Sequence, residues 1–181
     1  KKSKEIDDHK IAYPKNFYAF QKLTAEMYLQ AASQQHGFIY NIIRPFNLVG
    51  NFDYEKLKIM SHVVPELIKK IKNKDRKIKI YGDGLQERSF TSIYEAAKSI
   101  YLVSTKKICK NQVFNVGSEK SVNILKIINI ISDRLKVKKR IVKTRYFKSD
   151  VKYNRCSSKK LFKYINYKPQ KKITDIINDL I

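Results

Sequence analysis

Short β-branched stretches separated by helix-length amphipathic segments constrain this chain more than any other feature. "FIYNIIR" (38–44), "KIKIY" (77–81), "QVFNVGS" (112–118) and "RIVKTRY" (140–146) read as strands. The first and third are mostly apolar, as strands buried in a parallel sheet are. Between them lies helical spacing. Phe20, Leu23, Met27 and Ala31 mark a helix over 17–36, with Gly37 as its stop. Further helices are predicted over 64–72 and 93–104, from Ser121 as N-cap through Leu135, and near 158–165 and 173–181. Pro45 closes the first strand, "PFNLVGN" reads as loop, and Gly82-Asp83-Gly84 reads as a turn set by its backbone angles. Strands alternating with helices predict an α/β protein with a mainly parallel sheet.

Composition narrows the function. At 43% hydrophobic and 30% charged, the 181 residues can bury a core beneath a charged surface. Cys109 and Cys156 supply neither a disulfide scaffold nor a metal cluster, which points to a reducing, cytoplasmic setting. His9, His36 and His62 lack ligand-like spacing, so no metal is expected. No apolar run approaches the roughly 18 residues of a membrane span, so no membrane partner is expected. The net charge of +23 raises a nucleic-acid reading. The basic residues are spread along the whole chain, however, and are mostly lysine, whereas arginine supplies the fork that reads phosphate and guanine. Nucleic acid is therefore not the expected partner, and the surplus charge reads as a solvated surface that also attracts small anions.

"YPKNFYAFQK" (13–22) places Tyr18 and Lys22 four residues apart. The same spacing occurs at Tyr54/Lys58, Tyr94/Lys98, Tyr164/Lys168 and Tyr167/Lys171, so the pair alone decides nothing. Only Tyr18/Lys22 begins a long helix that leads straight into a buried strand. That strand delivers "RPFNLVG" to its C-terminal end, where open α/β sheets bind ligands.

In this context the chain resembles the extended short-chain dehydrogenase/reductases that act on nucleotide sugars. The tyrosine-x-x-x-lysine motif is similar to Tyr18 and Lys22. "RPxNxxG" is similar to Arg44, Pro45, Asn47 and Gly50, and "IPxxI" to Val64-Pro65-Glu66-Leu67-Ile68. "YGDGxQxRxF" is matched by Tyr81, Gly82, Asp83, Gly84, Gln86, Arg88 and Phe90. "xFNxGS" resembles Phe114, Asn115, Gly117 and Ser118, and the closing motifs resemble Asp150-Val151, Ser158-Lys159 and "YINYKP" (164–169).

The resemblance implies the C-terminal part of a Rossmann-type parallel-sheet domain, residues 1–50 and 86–117, with the catalytic helix. It implies a smaller α/β substrate-binding domain of residues 51–85 and 118–181. The implied function is an NAD-dependent (or NADP-dependent) epimerase or dehydratase acting on a nucleotide-diphosphate sugar. A free phenol is a poor base at neutral pH, and an ammonium one helical turn away favours its ionised form. Tyr18 would take a proton from a sugar hydroxyl while hydride passes to the cofactor. Lys22 would also bond the nicotinamide ribose, and Pro45 would shape the wall near the nicotinamide. Asn47 and Arg88 would hold the diphosphate, Arg88 through its fork. The segment 63–80, with Val64 and Ile80, would line the base and sugar pocket. A homodimer is expected of the full-length protein.

The match has departures. Ser89 stands where aspartate is common, Tyr94 and Glu95 stand where two acids are usual, Phe147 replaces a late arginine for which Arg145 or Lys148 could substitute, and Ser157 replaces an aspartate. No glycine-rich G-x-x-G-x-x-G turn follows a strand, although such a turn lets backbone approach a pyrophosphate. The expectation is therefore the C-terminal portion of a longer enzyme, inactive alone. Two other readings stand beside it: a nucleotide-sugar-binding remnant or subunit of a split enzyme, and a basic nucleic-acid-binding module. Purified alone, the 181-residue chain is expected to show no saturable NAD binding by calorimetry; micromolar binding would contradict this.

Overall fold

Gly37 ends the first helix because its left-handed backbone (φ 73°) lets its N–H close on Ser33 O, a conformation that costs a side chain dearly. The computed structural model describes residues 2, 3, 14, 16–51, 62–73, 77–146 and 151–181. Helix α1 spans Phe17–His36 and starts at Asn16, whose side-chain oxygen accepts the Ala19 N–H at 2.8 Å. Through the Gly37 turn the chain reverses into strand β1, Asn41–Pro45. This strand pairs in parallel with β6, Gln112–Val116, in register from Asn41↔Gln112 to Pro45↔Val116. Helix α3, Ile93–Thr105, lies in the crossover between them. Beside them β2, Leu48–Val49, pairs in parallel with β5, Thr91–Ser92.

A second parallel pair joins β3, Lys77–Tyr81, to β8, Arg140–Thr144. Helices α2, Val63–Lys72, and α4, Ile124–Leu135, turn their apolar stripes inward with β3. A three-stranded sheet sets β4, Glu87–Ser89, antiparallel to β7, Ser121–Asn123, and parallel to β9, Tyr153–Asn154. Helices α5, Lys159–Ile165, and α6, Ile173–Asn178, complete the order. Parallel pairs with helices between their strands bear out the α/β expectation.

Two hydrophobic clusters hold these elements. One gathers Val64, Ile71, Ile78, Ile127, Ile131 and Ile177. The other gathers Ala96, Val103, Phe114, Val116, Leu161 and Ile165. Val49 and Phe90 pack with the first cluster, while Leu161 and Ile165 pack with the second.

Four local expectations are corrected. Ser121 is not a helix cap; it pairs with Ser89 as a strand residue, and Asn123 caps α4 by accepting the Lys126 N–H at 2.8 Å. The stretch "PFNLVGN" is not all loop, because Leu48 and Val49 find partners in Thr91 and Ser92. The first strand begins at Asn41 rather than Phe38, and the third ends at Val116.

The Gly82 turn has a packing reason as well as a backbone one. At φ 71° a Cβ on Gly82 would run into the Tyr146 ring. The Tyr146 hydroxyl bonds Asp83, which lowers the Asp83 pKa and raises that of Tyr146. Gly82→Ala should therefore lower unfolding stability by about 1–3 kcal/mol, read as a lower urea midpoint; an unchanged midpoint would contradict this account.

Candidate active site

Because α1 runs back along β1, its N-terminal end lies near and beyond the strand's C-terminal end. Glu26 of α1 meets Arg44 of β1 in a two-pronged ion pair, with Arg44 Nε donating to the two carboxylate oxygens at 2.9 and 3.0 Å. The second prong runs from Arg44 Nη2 to Glu26 Oε2. The two side chains are only 22% and 18% exposed. Counting back from that level at a rise of about 1.5 Å per residue, Lys22 lies about 6 Å and Tyr18 about 12 Å further along the axis. Both therefore sit past the carboxyl end of β1, the edge at which open α/β sheets bind ligands. The Lys22 ammonium stands 5.6 Å from the centre of the Tyr18 ring, within cation–π range. Tyr18 is 69% exposed.

At the end of β1, Pro45 is exposed and the backbone is pinned to its neighbours. Phe46 N donates to Val116 O at 2.9 Å, and Thr91 Oγ1 donates to Phe46 O at 2.7 Å. Asn47 adopts a left-handed backbone (φ 36°), which asparagine tolerates well. Its amide Nδ2 donates to Ser89 O at 2.8 Å, and its own carbonyl accepts the Thr91 N–H. The Asn47 amide thus ties the loop to the strand that carries Arg88.

Arg88 sits on β4 between Val122 and Asn154, and its Nη1 donates to Glu87 O at 2.8 Å. Beside it the Glu87 carboxylate accepts from Ser121 Oγ and from Arg155 Nε at 2.9 Å. The Arg155 bond first, then the Ser121 bond, hold the Glu87 carboxyl below its usual pKa. Arg155 in turn lies 4.6 Å over the Tyr153 ring. This clasp ties the three strands around Arg88 together.

Val64 and Ile80 have a different setting from the one expected. They are 0% and 5% exposed inside a hydrophobic cluster, so neither lines an open wall. Strand alternation explains Ile80: in "KIKIY" the isoleucines face the core while Lys77, Lys79 and Tyr81 face outward. The structure therefore brings Tyr18, Lys22 and Pro45 toward one end of β1, and Asn47 toward the Arg88 strand, while Val64 and Ile80 support from behind. Glu26 and the Glu87–Arg155 clasp were not read from the sequence, since pairs so distant along the chain leave no local pattern.

The donor set fits the ribose end of a nicotinamide cofactor, since an exposed ammonium and an exposed phenol stand together beyond the strand. Among the described residues no glycine-rich turn opens a helix, so the pyrophosphate end finds no cradle here. The model of the NAD dependent epimerase/dehydratase family matches residues 1–117, a span that holds Tyr18, Lys22, Pro45, Asn47 and Arg88. The chain belongs to this family. A dTDP-D-glucose 4,6-dehydratase from Bos taurus is 31% identical over 127 residues, 68% of this chain and 33% of the relative. A UDP-glucuronate 4-epimerase from Thermodesulfobacterium geofontis is 26% identical over 165 residues, 91% of this chain and 49% of the relative. The crystal structure of a Bacillus cereus UDP-glucuronic acid 4-epimerase with UDP-glucuronic acid and NAD matches the fold with a TM-score of 0.87 at 20% identity. That match covers 99% of this chain and 55% of the other.

The chain thus spans a third to a half of the length of these curated relatives. The epimerase/dehydratase family is NAD dependent, in line with the cofactor expected from the sequence. No helix among the described residues is long and apolar enough to cross a membrane.

The Glu87 clasp has a pH signature. A carboxyl whose folded pKa is depressed adds stability above the free value of about 4.3 and loses it as pH falls through the folded value. Glu87→Gln should cost about 1 kcal/mol at pH 7 and less at pH 3, read by urea unfolding at both pH values. An equal cost at both would contradict the ionic account.

Proposed function

We propose that this chain is the catalytic-helix and substrate-binding part of an NAD-dependent epimerase or dehydratase acting on a nucleotide-diphosphate sugar. The observation that carries the reading is the Lys22 ammonium 5.6 Å over the Tyr18 ring, beyond the carboxyl end of β1. A cation there is placed to meet negative charge that develops during proton transfer. Tyr18 takes the proton from a sugar hydroxyl, and the carbinol becomes a carbonyl. A bound NAD would supply the acceptor for the hydride leaving the same carbon and would give it back later, so no net oxidation would result. Lys22 also orients the nicotinamide ribose, and Pro45 bounds the nicotinamide wall.

Arg88 offers its guanidinium to the diphosphate, on a strand held by the Glu87–Arg155 clasp. Asn47 supports the same region by joining the loop to that strand. Of the segment expected to line the base and sugar pocket, the outward side chain of Lys79 forms the wall, beside the outward Tyr81 that follows the segment. The full-length protein works in the cytoplasm as a homodimer. Exposed Phe17 (93%), Phe20 (57%), Met27 (62%) and Tyr28 (76%) on α1 support a covering partner, since large apolar patches rarely stay in water.

In the full-length enzyme, Tyr18→Phe should lower turnover at least 100-fold while leaving nucleotide-sugar affinity within about two-fold. Turnover within ten-fold of the unaltered enzyme would overturn the assigned role.

A further inference from the structure

We infer that Glu26 is a positioning residue for the Tyr18–Lys22 pair, acting through Arg44 to set how far α1 is rolled about its own axis; this rests on the catalytic reading above. Helix α1 has little apolar anchorage of its own. Of its 20 residues only Ser33 is buried among the described neighbours, near the C-terminal end. Ser33 Oγ donates to Phe38 O at 2.5 Å, which fixes that end alone. Further toward the N-terminus, Glu26 grips Arg44 through both carboxylate oxygens. Arg44 is itself fixed, because it pairs with Asn115 in the β1–β6 register and directly precedes Pro45.

Tyr18, Lys22 and Glu26 follow one another at intervals of four, so each is turned about 40° from the last and all three share one face. Whatever holds Glu26 in azimuth holds the other two. A fork between guanidinium and carboxylate defines a plane as well as a distance, so it resists rolling as a single-point contact does not. The lever is sensitive. A roll of about 20° moves an atom about 6 Å from the helix axis by about 2 Å. A misplacement of about 1 Å at a reacting centre can cost about 100-fold in rate. The pair is also largely shielded from solvent, which strengthens it relative to an exposed ion pair.

Three variants of the full-length enzyme test this: Glu26→Gln, Tyr18→Phe and the exchange Glu26→Arg with Arg44→Glu. Each is compared for kcat, for nucleotide-sugar affinity by calorimetry, and for melting temperature. Glu26→Gln should lower kcat about 100-fold while affinity stays within two-fold and the protein stays folded at the assay temperature. The exchange should recover at least ten-fold of that loss. Glu26→Gln with unaltered kcat would overturn the inference, as would a loss that follows only the unfolded fraction or an exchange no better than the single change. If Tyr18→Phe remains active, the catalytic reading itself fails. If Tyr18→Phe is inactive while Glu26→Gln is normal, only the role of Glu26 fails.

Discussion

The ion pair between Glu26 and Arg44 joins the two elements on which the candidate site depends. Helix α1 carries the phenol and the ammonium, and β1 carries the proline and leads into the asparagine. The two run in opposite directions through the Gly37 turn, so they share a level only where an interaction fixes one. The pair sets that level two turns from Tyr18. The remaining turns then project past the sheet edge, where the ends of parallel strands and their loops can surround a ligand.

The end of the chain reinforces the same edge. Ser158 Oγ donates to Gly117 O at 2.6 Å and accepts the Gly117 N–H, at the point where β6 has just ended. Cys156 N donates to Ser89 Oγ at 3.0 Å, next to Arg88. Glu95 of α3 accepts the backbone N–H groups of Gln170 and Lys171 at 2.7 and 3.1 Å, and Lys106 Nζ reaches Ile165 O at 3.0 Å. The bonds at Gly117 and Cys156 satisfy buried backbone groups that would otherwise go unpaired. They hold the C-terminal residues across β6 and β4, which is why Leu161 and Ile165 share a cluster with Phe114. Long-range seams of this kind bring the Asn47 loop and the Arg88 strand into one framework, although 42 residues separate Asn47 from Ser89.

The long elements were legible because their signals are local and repeated. The apolar spacing of α1 and Gly37 define one helix, and the isoleucines of "KIKIY" define one strand. The short elements were not legible. Two-residue strands such as Leu48–Val49 and Tyr153–Asn154 carry no period, and exist because a partner lies alongside. Ser121 looked like a cap because serine favours that place, but pairing with β4 and the bond to Glu87 claimed it, and Asn123 two residues on took the role. In the candidate site, residue types chosen for their chemistry lie where the ends of β1 and β4 place them. Those chosen for lining a pocket, Val64 and Ile80, turned out to be core; the alternation of "KIKIY" already pointed Ile80 inward.

A crystal structure of the full-length enzyme with a nucleotide-diphosphate sugar bound bears most directly on the account. The account predicts the Tyr18 hydroxyl within about 3 Å of a sugar hydroxyl, with Lys22 alongside and the Glu26–Arg44 fork intact. A sugar ring lodged elsewhere, with the Tyr18 side chain turned to solvent, would contradict it.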